Sequence, residues 1–223
     1  MEKGSPRKRK SIKRILITGP ESTGKSDLSE YLARHFSGSF IPEYAREYIE
    51  KLQRPYRYED VVTIAEKQLS EYMEIVEQVK SKKIKGKSDG NGDENREGKG
   101  DENREGRGDE NREGKDDERN VRNMWVFFDT WLIVSKVWMD VVFEKSPDWI
   151  DEALKKASFD LVLVCAPDIP WEPDTQRENG GEERNKLYQR YISELDQLGW
   201  EYRIVRGSGE ERRRNAVDHI EER

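Results

Sequence analysis

Residues Gly19 to Ser26 read GPESTGKS, and no other stretch of the chain restricts its fold as tightly. The spacing is an unbroken GxxxxGK(S/T). At average glycine usage and rough frequencies for Lys, Ser and Thr, chance gives this match about once in a hundred chains of this length. The context makes accident rarer still. Ile12 to Thr18 is a short apolar run, and Lys25 to Phe36 places Leu28, Tyr31, Leu32 and Phe36 at helical spacing. A strand, a Gly-rich turn and a helix start, in that order, bring unpaired backbone N–H groups together at a helix N-terminus, where they cradle phosphate. Gly19, Glu21, Ser22, Thr23, Gly24, Lys25 and Ser26 are therefore expected to bind ATP. Lys25 should reach the β- and γ-phosphates and Ser26 should ligate Mg²⁺.

The rest of the chain continues the alternation. Phe40 and Ile41 form a brief second strand before Pro42, and Glu43 to Leu52 reads as helix. A long helix runs from about Tyr58 to Lys82 on the stripe Val61, Ala65, Leu69, Tyr72, Met73, Val76 and Val79. Beyond residue 120, the spacing predicts a buried strand at Met124 to Phe128 and helices at Trp131 to Phe143 and Pro147 to Ala157. A strand follows at Leu161 to Cys165, then a loop marked by Pro167, Pro170 and Pro173, a helix at Gly181 to Leu198, a strand at Tyr202 to Val205, and a last helix. Continuous apolar strands separated by helices mean an α/β fold with a mostly parallel sheet covered on both faces.

Averaged over the whole chain, 33% hydrophobic and 39% charged residues is close to the composition of disordered sequence. One segment causes this. Between Ser81 and Asn120 about 24 of 40 residues are charged and Ile84 is the lone aliphatic; the remainder is ordinary globular sequence near 40% hydrophobic. The segment holds a tandem octapeptide, GDENREGK from Gly92, GDENREGR from Gly100 and GDENREGK from Gly108. A period without an apolar position has nothing to bury, so residues 83–120 are expected to be a disordered insert, at most a spacer or partner-binding segment. Residues 1–11 are expected to be a basic tail, and 12–223 one domain interrupted by the insert.

The formal net charge is −6; with about +6 on Met1 to Arg14, the folded remainder is near −10. An acidic body is a poor nucleic-acid binder. The window Met124 to Phe143 is long enough to span a bilayer but carries Asp129, Lys136 and Asp140, so no membrane span is expected. The amino-terminal charge is not followed by an apolar leader segment. A single cysteine, Cys165, allows no internal disulfide and suits the cytoplasm.

Several residues around the phosphate loop are candidates for chemistry. Asp129 closes the run MWVFF beside the expected loop, where a carboxylate suits Mg²⁺-water coordination or proton abstraction; the alternative is an N-cap for the helix starting at Thr130 or Trp131. In IPEYARE, Glu43 and Arg46 lie three apart on one helical face. Glu43 suits a sugar hydroxyl, as acceptor or base, and the alternative is an exposed ion pair worth about a few tenths of a kcal/mol. Tyr44 either stacks on a base or joins the core. Gln68 interrupts the apolar stripe of the long helix, so its amide needs partners in the protein or in a ligand. In PDIPWEPDTQRENGGEER, Arg177 and Arg184 are placed to offset charge on a transferring phosphoryl group, or else pair with Asp174 or Glu178. Trp171 covers the substrate or pins this loop.

Taken together, GPESTGKS, IPEYARE, the step from Ile64 and Ala65 to Gln68, FFDT before an apolar helix, and DIPWEPDxxRE resemble the ribosylnicotinamide kinase domain of the NadR family. The likeness covers nearly all of the chain outside the tail and insert. It implies a P-loop NTPase of the nucleoside- and nucleotide-kinase type, with a parallel five-stranded sheet, transferring the ATP γ-phosphate to the 5′-hydroxyl of nicotinamide riboside. It further implies Glu43, Arg46 and Gln68 around the nucleoside, Asp129 near Mg²⁺ and the attacking hydroxyl, and Arg177 in a lid. Two departures follow. Trp131 stands where several relatives carry a second acid, and with only His35 and His219 the chain has no HxGH-like site, so adenylyl transfer is not expected. The expectation is a Mg·ATP-dependent kinase for nicotinamide riboside or another nucleoside. The rival from another class is a nucleotide-binding regulatory module.

Overall fold

The computed structural model describes residues 11–88, 123–171 and 181–223. Its strands are β1 (Ser11–Thr18), β2 (Ser39–Ile41), β3 (Asn123–Asp129), β4 (Leu161–Cys165) and β5 (Tyr202–Val205). They make one sheet in the order β2-β3-β1-β4-β5, every neighbouring pair parallel. The helices are α1 (Lys25–His35), α2 (Tyr44–Lys51), α3 (Tyr58–Ser88), α4 (Leu132–Phe143), α5 (Asp148–Lys156), α6 (Gly181–Leu198) and α7 (Gly209–Glu221). The expected parallel five-stranded sheet is thus present.

Parallel strands need both faces covered, and the alternation of side chains shows how. On one face Ile15, Ile17, Phe127, Leu161, Leu163 and Cys165 meet Leu28 and Leu32 of α1 and Ala216 and Ile220 of α7. On the other, Leu16, Val126, Phe128, Val162 and Val164 pack against α3, α4, α5 and α6. Each large side chain buried this way contributes about 1.5–3 kcal/mol. Trp131, only 2% exposed, centres an aromatic cluster with Tyr72, Phe159 and Trp200. Its indole N–H donates to the Gln68 carbonyl at 3.1 Å. The residue standing in place of a second acid is therefore core.

The register places the functional edge. β1 runs beside β3 from Ser11 opposite Asn123 to Ile17 opposite Asp129, and beside β4 with Thr18 opposite Val164. From β1 the chain travels out to β2, returns to β3, and then crosses to β4 on the far side of β1. Strand order thus reverses at β1, and the crevice outside the carboxyl ends of β1 and β3 is where such sheets bind ligands.

Most boundaries agree with expectation to within one residue at either end, and the following differences bear on the domain limits and the site. Ser11 belongs to β1 rather than to the tail. The long helix continues to Ser88 instead of ending near Lys82, so residues 83–88, expected in the insert, are helical. Helix α4 begins at Leu132, one residue later than expected. Residues 1–10 and the octapeptide repeats lie outside the described residues. No helix among the described residues is long and apolar enough to cross a membrane.

Candidate active site

The phosphate loop begins where β1 ends. Gly19 has φ 132°, and a Cβ there would lie 2.7 Å from the Cys165 carbonyl oxygen, so only glycine fits. Ser22 and Gly24 adopt left-handed backbone at φ 54° and 72°, which coils the chain into the first turn of α1. The Thr23 hydroxyl and the Lys25 ammonium both donate to the Pro20 carbonyl at 2.8 Å. The backbone N–H groups of Thr23, Gly24, Lys25 and Ser26 donate to no group among the described residues; the first such bond runs from Leu28 to the Gly24 carbonyl at 3.0 Å. A helix start with its orphan donors gathered in one turn is an anion site.

Asp129 ends β3 beside this loop. The next residue, Thr130, turns sharply at φ 61° with its N–H bonded to the Ile17 carbonyl at 2.9 Å. Trp131 is the N-cap of α4 and no side chain caps it, so Asp129 is not an N-cap. Its carboxylate is 3% exposed and Oδ1 has no hydrogen-bond partner. Burial first, then the charge of Glu43, pushes its pKa up to about 6, while a hydrogen bond from Ser26 and the positive charges of Lys25 and Arg46 oppose the rise. Glu43 flanks the start of α2 and accepts a 3.4 Å contact from the Thr130 hydroxyl. Arg46 is exposed, and no ion pair joins it to Glu43 among the described residues, so the surface-pair alternative does not hold. Lys25, Ser26, Glu43, Arg46 and Asp129 thus share one electrostatic neighbourhood. An unpartnered buried carboxylate oxygen beside a serine hydroxyl fits a hydrated Mg²⁺ shared with bound phosphates, so these residues suit the expected Mg·ATP.

The remaining candidates divide. Gln68 is buried, with Oε1 accepting from Ser135 at 2.9 Å, so half of its amide is satisfied by the protein. Its Nε2 donates to no described group, and the residue lines a narrow cleft with Ile41, Pro42, Glu71, Phe128 and Thr130. Tyr44 is half-buried against Tyr48 and belongs to neither core cluster, which removes the core alternative. Trp171 is half-buried with its indole nitrogen unpartnered. Arg184 is 4% exposed and donates to the carbonyls of Ile169 and Ser22. Arg177, Asp174 and Glu178 lie outside the described residues.

Sequence reasoning missed Arg212. It is 4% exposed and donates to the Thr23 carbonyl inside the phosphate loop, to the Gly207 and Ala166 carbonyls, and to Asp168. Part of a signal was present: in EERRRNA both Arg212 and Arg213 are at helical spacing from Ala216 and Ile220, and it is the packing of α7 that buries Arg212 with that stripe.

A family model described as an AAA domain matches residues 14–86 and 84–212, two segments that meet just ahead of the octapeptide repeats. Comparison with curated proteins gave no match. Among solved structures, the chain is similar to the NadR protein in complex with NR, with a TM-score of 0.59 and 22% identity over 95% of this chain and 51% of that one. It is also similar to the NadR protein in complex with NAD and AMP-PNP, with a TM-score of 0.60 and 21% identity over 95% and 49%. A thymidylate kinase from Ehrlichia chaffeensis gives a TM-score of 0.55 at 9% identity over 95% and 98%. The chain spans about half the length of the NadR chains. At these identities the likeness is one of fold, that of a P-loop nucleoside or nucleotide kinase.

Proposed function

We propose that this chain, which belongs to the AAA domain family, is a Mg·ATP-dependent kinase of NAD biosynthesis that phosphorylates the 5′-hydroxyl of nicotinamide riboside to give nicotinamide mononucleotide. The observation that carries this reading is the pair of carboxylates beside the phosphate loop. Asp129 is buried with an open oxygen, and Glu43 is close enough to raise its pKa. A module that only binds nucleotide needs a metal anchor, but it has no use for a second acid at the same place.

The division of labour follows from position. The N–H groups of Thr23 to Ser26 receive the triphosphate, and Lys25 exchanges the Pro20 carbonyl for a phosphate oxygen. Ser26 and Asp129 would hold Mg²⁺, which when bound supplies positive charge against the phosphates. Glu43, which meets the hydroxyl of the cleft residue Thr130, orients the acceptor hydroxyl. Proton acceptance falls to Asp129 or Glu43, and a carboxyl near pKa 6 is matched to that task at neutral pH. The open Nε2 of Gln68 suits a carbonyl oxygen such as that of a carboxamide, and Tyr44 suits stacking on a base. Arg177 is proposed to stabilise the transferring phosphoryl. The single, buried free thiol of Cys165 suits the reducing cytoplasm.

The thymidylate kinase likeness supports a second reading with the same chemistry and another nucleoside as acceptor. A panel of nucleosides with Mg·ATP, read as ADP released and as mass of product, separates the possibilities. With nicotinamide riboside as acceptor, ATP is expected to release one ADP per phosphorylated product formed. Turnover with a different nucleoside shifts the substrate, and absence of acceptor-dependent ADP release across the panel leaves the regulatory module.

A further inference from the structure

We propose that Arg184 and Arg212 are positioning residues that fix the phosphate loop in its anion-receptive form before any nucleotide binds, by holding the carbonyl oxygens of Ser22 and Thr23. The proposal rests on the ATP-dependent reading above.

The argument is one of peptide planes. Arg184, on α6, donates to the Ser22 carbonyl at 2.9 Å and to the Ile169 carbonyl at 2.9 Å. Arg212, on α7, donates to the Thr23 carbonyl at 2.8 Å, to the Gly207 carbonyl at 2.8 Å and to the Ala166 carbonyl at 3.1 Å. No peptide bond described here is cis, so each C=O opposes the N–H of the following residue across one rigid plane. Fixing the Ser22 oxygen therefore fixes the direction of the Thr23 N–H, and fixing the Thr23 oxygen fixes the Gly24 N–H. Those are two of the donors that no group among the described residues accepts. A flip of either plane would present a carbonyl to the phosphate in place of an N–H, exchanging attraction for repulsion.

Two further observations make tethering necessary. Ser22 holds φ 54°, a conformation costly for a residue with a Cβ, which persists only where its surroundings enforce it. Of the two side-chain bonds within the loop, both to the Pro20 carbonyl, that of Lys25 is exchangeable because its ammonium is the group expected to move to phosphate, and that of Thr23 leaves the Ser22 and Thr23 carbonyls unheld. Arg184 and Arg212 are both buried, and Arg212 spends its other donors on the loops after β4 and β5. They stay with the protein and tie the phosphate loop to those neighbours.

Inorganic tripolyphosphate with Mg²⁺, which has neither sugar nor base, is the direct probe. It is titrated calorimetrically into the whole chain and into Arg184→Lys, Arg212→Lys and Arg212→Gln. In parallel, ¹⁵N order parameters of Thr23 and Gly24 are measured without nucleotide. Lysine keeps the charge but not the forked donor geometry. The lysine variants are expected to bind tripolyphosphate about tenfold more weakly. The Gly24 order parameter should fall from about 0.85 toward 0.6 in Arg212→Lys, and that of Thr23 likewise in Arg184→Lys. Wild-type affinity in both folded lysine variants overturns the proposal, as do unchanged order parameters. If Arg212→Gln fails to fold, the lysine variants still decide. Should the unaltered chain bind neither tripolyphosphate nor ATP, the nucleotide reading fails, while the order parameters still judge the tethering.

Discussion

Burial and the neighbouring Glu43 charge move the Asp129 carboxyl from 3.8 to about 6, so the folded protein holds a proton there that the unfolded chain releases. The sign is that of a raised acid: the stability gained from the neutral form is complete below pH 3.8 and is lost as pH rises through about 6. At pH 7.5 the buried charge costs the native state on the order of 3 kcal/mol. Asp129→Asn, measured without Mg²⁺ or nucleotide, is therefore expected to raise the melting temperature at pH 7.5 and to have little effect at pH 4. The same variant should lower kcat by orders of magnitude, and the unsubstituted protein should show an acid limb near pH 6 in kcat/KM. A variant that melts lower at pH 7.5 would show that Asp129 is a structural acid. Glu43→Gln is expected mainly to raise the KM for the nucleoside; a kcat loss at constant affinity would make Glu43 the base. Asp129 was legible in the sequence because an apolar run closing on a carboxylate beside a phosphate loop has few other uses. Arg212 was not, because three consecutive arginines read as a solvated face until the phase of α7 against β4 is known.

Among the elements, α2 matters most, since it is capped by Glu43 and carries Arg46 yet has Ala45 as its one fully buried side chain. What holds it is the corner after it. Asp60, at the start of α3, accepts from Arg54 at 2.7 and 2.8 Å, from the Arg57 N–H at 2.7 Å and from the Tyr48 hydroxyl at 3.1 Å. The Arg54 guanidinium leads these bonds in holding the Asp60 carboxyl down at about 2. This contribution is present above pH 3.8 and is lost as pH falls toward 2. Asp60→Asn keeps the shape and removes the charge. It is expected to cost about 1–3 kcal/mol by chemical denaturation, to raise the acceptor KM severalfold, and to leave tripolyphosphate affinity unchanged. A matching loss of tripolyphosphate affinity would mean that the corner supports the phosphate loop as well. The helix α2 itself was legible from IPEYARE, but the clamp was not, because RPYRYED gives no sign that one aspartate gathers three neighbours. Strands β4 and β5 and helix α6 were read to the residue, since continuous apolar runs bounded by Pro, Gly and charge leave little freedom. The end of α3 was misread because lysines that extend a helix look, by composition, like the charged insert they precede.

Over the whole molecule, the strand order was the least legible feature, since periodicity identifies strands but says nothing of their neighbours. It follows from closure: β1 carries the loop, both its sides must be covered, and the chain fills one side with β3 and the other with β4. That architecture bears on the octapeptide repeats. Both core clusters are built from residues that precede Ser81 or follow Asn120, and among the described residues β3 is the next element after α3. The register of β1 against β3 is fixed by seven residue pairs and by the aromatic side chains of β3, not by the connection between α3 and β3. Loop-closure entropy changes only slowly with connection length. Deleting Gly92 to Lys115 leaves residues 89–91 and 116–122 to join the two elements, and each removed octapeptide lacks an apolar side chain to bury. The shortened chain is expected to melt within about 2 °C of the original, the displacement that roughly half a kcal/mol produces in a domain of this size. Its kcat and nucleoside KM should be unchanged. A fall of several degrees would show that the repeats pack on the domain. Unchanged melting with altered KM would show that they reach the crevice at the carboxyl ends of β1 and β3.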